Sequence, residues 1–182
     1  MAGEALIRAA QPADAPALTR LALRSKQLWG YDAAFMARCR TELTVTAEGI
    51  ATHQTFLLAE AGVPLGFYQL RLADETAEVA LFFVAPEAIG QGVGRRLWCH
   101  LEETARALGA MRICLDADPN AAGFYAAMGA VRCGDRPSAS IPGRCLPHFE
   151  KRLSRRYAKP SRGTSSPIER ATMPCSPASR SN

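Results

Sequence analysis

Two observations predict an α/β protein of the α+β kind, with a mixed, mostly antiparallel twisted sheet flanked by helices. Three strand-like segments follow one another at hairpin distances, and a strand–helix–strand–helix alternation follows them. The chain has 182 residues, 48% hydrophobic and 21% charged, which suits one globular domain able to bury its own core. No apolar run approaches the roughly 18 residues of a membrane helix. The opening Met1-Ala-Gly-Glu-Ala-Leu-Ile-Arg lacks the regions of a secretory signal. A cytoplasmic protein with no membrane contact is the expectation.

The elements follow in order. Leu6-Ile-Arg-Ala begins a first short strand. Asp14 is the expected N-cap of a helix in which Leu18, Leu21, Ala22 and Ser25 recur at helical spacing. A second helix fits residues 32–43, with Phe35, Met36 and Cys39 on one stripe. Strands are expected at 55–60, 65–72 and 77–84, separated by Gly62-Val-Pro64 and Asp74-Glu75. Residues 92–108 read as a helix closed by Gly109. A strand at 111–115, a short helix at 120–128 closed by Gly129, and strands at 130–133 and 148–153 complete a domain over residues 1–153.

Residues 154–182 differ in composition. Pro160, Pro167, Pro174, Pro177 and many serines leave no apolar periodicity, so a disordered basic tail is expected. The tail also holds the whole net charge of +5, because its six basic residues face only Glu169. Residues 1–153 are therefore neutral, and a nucleic-acid footprint on the fold is not expected. Cys39, Cys99, Cys114, Cys133, Cys145 and Cys175 include no C-x-x-C pair, and His53, His100 and His148 are dispersed. Reduced thiols and no metal site are expected. Cys99 and His100 are neighbours on a helix and point in different directions, so they form no catalytic pair.

The chemistry concentrates in Val84-Ala-Pro-Glu-Ala-Ile-Gly-Gln-Gly-Val-Gly-Arg-Arg-Leu-Trp98. A strand ends, a glycine-rich loop follows and an amphipathic helix begins. Gly90, Gly92 and Gly94 remove side chains that would hold a ligand off the backbone. The N–H groups there, with the positive end of the helix dipole, form an anion cradle suited to a phosphate-bearing cofactor. A P-loop is excluded, because Arg95-Arg96-Leu97 does not supply Gly-Lys-Ser/Thr. A dinucleotide fingerprint needs a small residue at Arg95 and a loop directly after its strand, where Pro86-Glu-Ala-Ile89 intervenes. Asp116, at the end of the next strand, keeps an NAD(P)-binding reading open.

Two motifs decide the direction. Val84-Ala-Pro86 followed by Gly92-Val-Gly94, with Gly123-Phe-Tyr-Ala-Ala-Met-Gly-Ala130 later, resembles the GNAT superfamily of acyl-CoA-dependent N-acetyltransferases. Ile7-Arg-Ala-Ala-Gln-Pro-Ala-Asp-Ala-Pro16 is similar to that family's first strand and helix cap. The resemblance covers about residues 5 to 153. Ile89 departs from it, standing where the family has Gln or Arg.

The resemblance implies acetyl-CoA as co-substrate and a primary amine as acceptor, with direct attack in a ternary complex. Gly90, Gln91, Gly92, Val93, Gly94 and Arg95 would cradle the pyrophosphate. Phe82, Phe83 and Val84 would offer backbone groups to the pantetheine and thioester, and an N–H near Val84 would stabilise the oxyanion. Tyr125 sits where the family places the acid for the CoA thiolate. Asn120, a candidate N-cap, would contact the CoA chain, although the family asparagine lies seven residues before the tyrosine, at Asp118 here.

Glu78 is the candidate base. Strand alternation would place it with Ala80, Phe82 and Val84, and desolvation would raise its pKa; ordered water is the alternative. Trp29 and Tyr31 would wall the acceptor site, and Arg144 would hold a carboxylate or phosphate of the acceptor. A small-molecule amine is expected, and a homodimer is compatible with this reading. A non-catalytic acyl-CoA-binding regulatory module keeps the fold and drops the chemistry.

Overall fold

A computed structural model describes residues 4–154. The expected tail, apart from Ser154, lies outside the described residues. Seven strands form one sheet in the order β1-β2-β3-β4-β5-β7-β6. They are β1 (Leu6–Ala9), β2 (Gln54–Glu60), β3 (Val63–Ala73), β4 (Thr76–Val84), β5 (Arg112–Asp116), β6 (Val131–Pro137) and β7 (Cys145–Arg152). Every neighbouring pair is antiparallel except β4 and β5. The helices are α1 (Ala15–Gln27), α2 (Ala33–Leu43), α3 (Ala47–Thr52), α4 (Val93–Ala107) and α5 (Ala122–Ala127). The predicted mixed sheet with flanking helices is the observed one.

Local chemistry sets the boundaries. Asp32 caps α2 by accepting from the Phe35 N–H at 2.7 Å. Thr46 caps α3, a helix too short for its periodicity to register in the sequence. Asp14 does not cap α1 as expected: its carboxylate accepts from the Gln11 N–H and from Arg8 across the preceding 3-10 turn. The β2–β3 turn is Ala61-Gly62, both at positive φ, so Val63 and Pro64 belong to the strand. Pro64 pairs with Ala59 beside a register shift, where its missing N–H is tolerated.

Each face of the sheet is covered differently. Leu97, Trp98, Leu101 and Ala105 of α4 are buried on one face. Gly66 admits this helix closely, since a Cβ there would lie 2.8 Å from Leu97. Tyr68, on the same face, bonds His100 Nδ1 at 2.7 Å and Thr104 Oγ1 at 2.9 Å; Cys99 is exposed. α5 shares this face, with Tyr125 against Trp98 at 5.6 Å and Phe149 at 6.0 Å. The opposite face, carrying Phe67 and Gln69, is covered by α1, α2 and α3, with Gly49 of α3 beside Gln69. No helix among the described residues is long and apolar enough to cross a membrane.

Candidate active site

The parallel pair β4 and β5 is joined only at Thr76↔Arg112, Ala77↔Ile113 and Glu78↔Cys114. Beyond Glu78 the two strands diverge. From residue 79 to 84 the edge of β4 that faces β5 has lost its ladder, so its N–H and C=O groups are open to an extended ligand. A cleft of about 800 Å³ occupies this gap and runs from Glu42, Arg71 and Glu78 to Gly90, Gly92 and Arg95.

At the loop end, Gly90 and Gly92 both have φ of +81°, and a Cβ on either would meet open space. Glycine is needed there for the left-handed turn, which also keeps the approach clear. No side chain caps α4. The N–H groups of Val93, Gly94 and Arg95 in its first turn therefore have no intrahelical acceptor and suit an anion. Gly94 is different, because a Cβ would lie 3.1 Å from the Phe124 ring. Of the expected cradle residues, Gln91 has its N–H taken, and Val93 offers its N–H alone. The Gln91 N–H goes to the Ala88 carbonyl and its side chain turns back to the Glu87 carbonyl at 2.7 Å, while the Val93 side chain is buried against the sheet. Ile89 lines the cleft with 49% of its surface exposed, so the usual polar side chain is replaced by an apolar wall.

Phe82, Phe83 and Val84 line the gap, as does Tyr125. Tyr125 is 6% exposed and sits among Phe82, Trp98, Phe124 and Phe149. Burial, reinforced by the Asp118 charge, pushes its hydroxyl well above the ordinary tyrosine range. The proton stays on, and the hydroxyl has no protein partner among the described residues.

The face expected for Glu78 is corrected by a bulge. Leu70 pairs with Val79 and Gln69 with Leu81, which leaves Ala80 as the extra residue. The bulge shifts the phase, so Glu78 shares a face with Leu81 and Phe83, while Phe82 and Val84 share the α4 face with Tyr68 and Gly66. Glu78 thus points to the side of α1 and α2. It is exposed and not set in an apolar surround as expected.

A polar cluster closes the middle of the cleft. Asp118 receives Lys26 Nζ at 2.6 Å, Tyr31 Oη at 2.9 Å, the Asn120 N–H at 3.0 Å and Arg144 at 3.3 Å. Asp118, not Asn120, is therefore the cap of the turn before α5. The Asn120 side chain donates to Tyr31 Oη and Asp118 while lining the cleft. Arg144 donates to Tyr31 Oη at 2.7 Å and lies over the Tyr31 and Phe35 rings. Its Nη2 is engaged within the protein and Arg144 does not line the cleft, so the structure does not bring it to the acceptor as expected. Tyr31 stacks on Phe35 at 4.0 Å, and only Trp29 of the Trp29–Tyr31 pair lines the cleft. Among the described residues no three His, Cys, Asp or Glu groups come together to hold a metal.

Residues 20–130 match the model of the acetyltransferase (GNAT) family. The chain belongs to the GNAT family. Solved structures agree with this. A GCN5-related N-acetyltransferase from Rhodopseudomonas palustris is 27% identical with a TM-score of 0.70, over 84% of this chain and 98% of that one. The PaiA N-acetyltransferase of Thermoplasma acidophilum, solved with coenzyme A, is 17% identical with a TM-score of 0.68, over 82% and 99%. YncA of Salmonella typhimurium, solved with acetyl-CoA, is 20% identical with a TM-score of 0.61, over 91% and 99%. No curated protein shows a significant sequence match.

Several cleft residues of this GNAT acetyltransferase are not signalled by its motifs. Lys26, Glu42 and Arg71 line the cleft from α1, α2 and β3. Each is an ordinary surface charge by sequence, and only the packing of those elements over the gap brings it in.

Proposed function

We propose that this acetyltransferase moves the acetyl group of acetyl-CoA to the primary amine of a small molecule by direct attack in a ternary complex. The observation that carries the proposal is the gap between β4 and β5. It opens on both faces of the sheet, with Tyr125 on the α5 side and carboxylates on the α1–α2 side. The pyrophosphate lies on the first turn of α4 with Arg95 beside it, and Asn120 borders the pantetheine. The pantetheine adds to the open edge of β4 as a strand would. A β4 N–H near Val84 faces the thioester oxygen and stabilises the tetrahedral oxyanion.

The amine enters from the α1–α2 side, past Trp29, and attacks the thioester carbon. The departing CoA sulfur takes the Tyr125 proton on the other face. Glu78 lines the amine's approach. A cleft of about 800 Å³, walled by the end of α2 and the β6–β7 hairpin, favours a small acceptor over a polymer. Arg144 is left out of acceptor binding, because Asp118 and Tyr31 already hold it.

The test is thiol release by the purified full-length chain over amino acids, polyamines, aminoglycosides and peptides. Amine-dependent CoA release is expected, together with thermal stabilisation by acetyl-CoA and none by NAD. CoA binding without turnover on any amine would replace this reading with a non-catalytic CoA-binding module.

A further inference from the structure

The α1–α2 face of the sheet carries a side-chain group that the family motifs do not include. Cys114 and Asp116 alternate onto this face from β5, level with Glu78 of β4, and His148 and Glu150 lie opposite them on β7. His148 Nδ1 meets Asp116 Oδ1 at 2.6 Å. A carboxylate only accepts, so Nδ1 carries the proton. The imidazole side chain is 7% exposed, and its Nε2 is buried with no hydrogen-bond partner among the described residues, 3.6 Å from Glu150 Oε1. Arg136 of β6 stands 3.9 Å from the same Asp116 oxygen. Asp116 itself lines the cleft, and its side chain is 37% exposed.

We infer that Asp116 is the proton acceptor for the incoming ammonium group and that His148 is its positioning residue. The assignment rests on the transferase reading above. Asp116 lies two residues past the last β4–β5 pair, on the wall of the gap where the strands have separated and on the side from which the amine arrives. Among the described residues both of its side-chain contacts are made through Oδ1, which leaves Oδ2 for the substrate. The buried imidazole fixes that orientation, as a second layer behind a reacting carboxylate does in other sites.

The charges facing the pair are Glu78 from β4, Glu150 from β7 and Arg136 from β6, with Arg71 of β3 paired across from Glu78. Glu78 and Glu150 offset Arg136 and Arg71, so the Asp116 carboxylate is the uncompensated charge of this group and meets an incoming cation. The Cys114 thiol reports the same surroundings: burial first, and then the Glu78, Glu150 and Asp116 carboxylates, push it upward against Arg136.

The proton count closes. The ammonium gives one proton to Asp116 Oδ2, and its freed electron pair forms the C–N bond. The C–S bond then breaks, its electron pair leaves on sulfur, and sulfur takes the Tyr125 proton. The remaining excess proton on nitrogen restores the Tyr125 hydroxyl. Asp116 releases its proton to solvent through the cleft.

The experiment compares two nucleophiles in the full-length chain. One is the best alkylamine of the screen, protonated near neutral pH; the other is hydroxylamine, already unprotonated there. Asp116→Asn should lower kcat with the alkylamine by about 10²-fold, leave hydroxylamine turnover within about threefold, and recover as pH rises. His148→Leu should reproduce that pattern, whereas His148→Asn, which keeps a donor toward Oδ1, should restore much of the rate. Unchanged CoA affinity checks that each variant is folded. Equal losses with both nucleophiles, or a selective alkylamine loss in Glu78→Gln and none in Asp116→Asn, would overturn the assignment. A parent enzyme inactive on every amine, hydroxylamine included, would overturn the transferase reading as well.

Discussion

Tyr125 illustrates how one side chain is prepared by its neighbours. Four aromatic rings surround it, and burial holds its proton in place at neutral pH. In the mechanism proposed above this phenol is the general acid for the departing thiolate. Tyr125→Phe should therefore lower kcat by about 10²-fold and leave CoA affinity nearly unchanged, as read by steady-state kinetics and by CoA titration. This residue was legible because its motif is local: the aromatic pair, the short helix and the closing glycine lie within eight residues. Glu78 was half legible. Its strand could be read from composition, but its direction depended on the bulge at Ala80, and a bulge in a run of apolar residues leaves no mark on the alternation. Arg144 misled for the opposite reason. A free-looking cation in a loop is defined by its partners, and Asp118 and Tyr31 are distant in sequence.

Helix α1, the turn before α5 and the β6–β7 connection meet through Asp118. Lys26 and Arg144 reach it from two of these elements, and their side chains are only 13% and 16% exposed. Burial acts to raise the Asp118 pKa, but Lys26, the Asn120 N–H and Tyr31 outweigh it, and the carboxyl lies below its usual range. The sign follows from that direction. Its contribution to stability is complete above the unfolded pKa of about 3.9 and disappears as pH falls through the lower folded value. Asp118→Asn leaves two half-buried cations without their anion and should cost about 3 kcal/mol at neutral pH. Urea titrations from neutral to strongly acidic pH should also show a shallower acid loss in the variant than in the parent. The helices themselves were legible wherever their stripes were long enough: α2 starts one residue after the expected boundary at 32, and α4 ends before Gly109. The six-residue α3 was not, since fewer than two turns carry too little periodicity.

At the scale of the molecule, the sequence announced a mixed sheet flanked by helices but not the order of its strands. β7 inserts between β5 and β6, a pairing between residues far apart in sequence that no local pattern encodes. The same insertion brings His148 to Asp116. The described fold closes at Leu153, 4% exposed, with its N–H on the Met111 carbonyl. We propose that residues 1–153 are a complete domain. A chain ending at Ser154 should keep the melting temperature and the acetyl-CoA affinity of the full-length protein; a lower melting temperature would move the boundary.

The gap between β4 and β5 also has a mechanical meaning. Three residue pairs tie one half-sheet, β1 to β4, to the other, β5 to β7, so the sheet is seamed down its middle. A bound pantetheine would stitch that seam with bonds to one edge of a single strand. Amide hydrogen exchange should register this with a period of two along residues 79–84. Alternate amides facing the seam would exchange quickly until CoA is added, while those between them, already bonded to β3, would stay slow throughout.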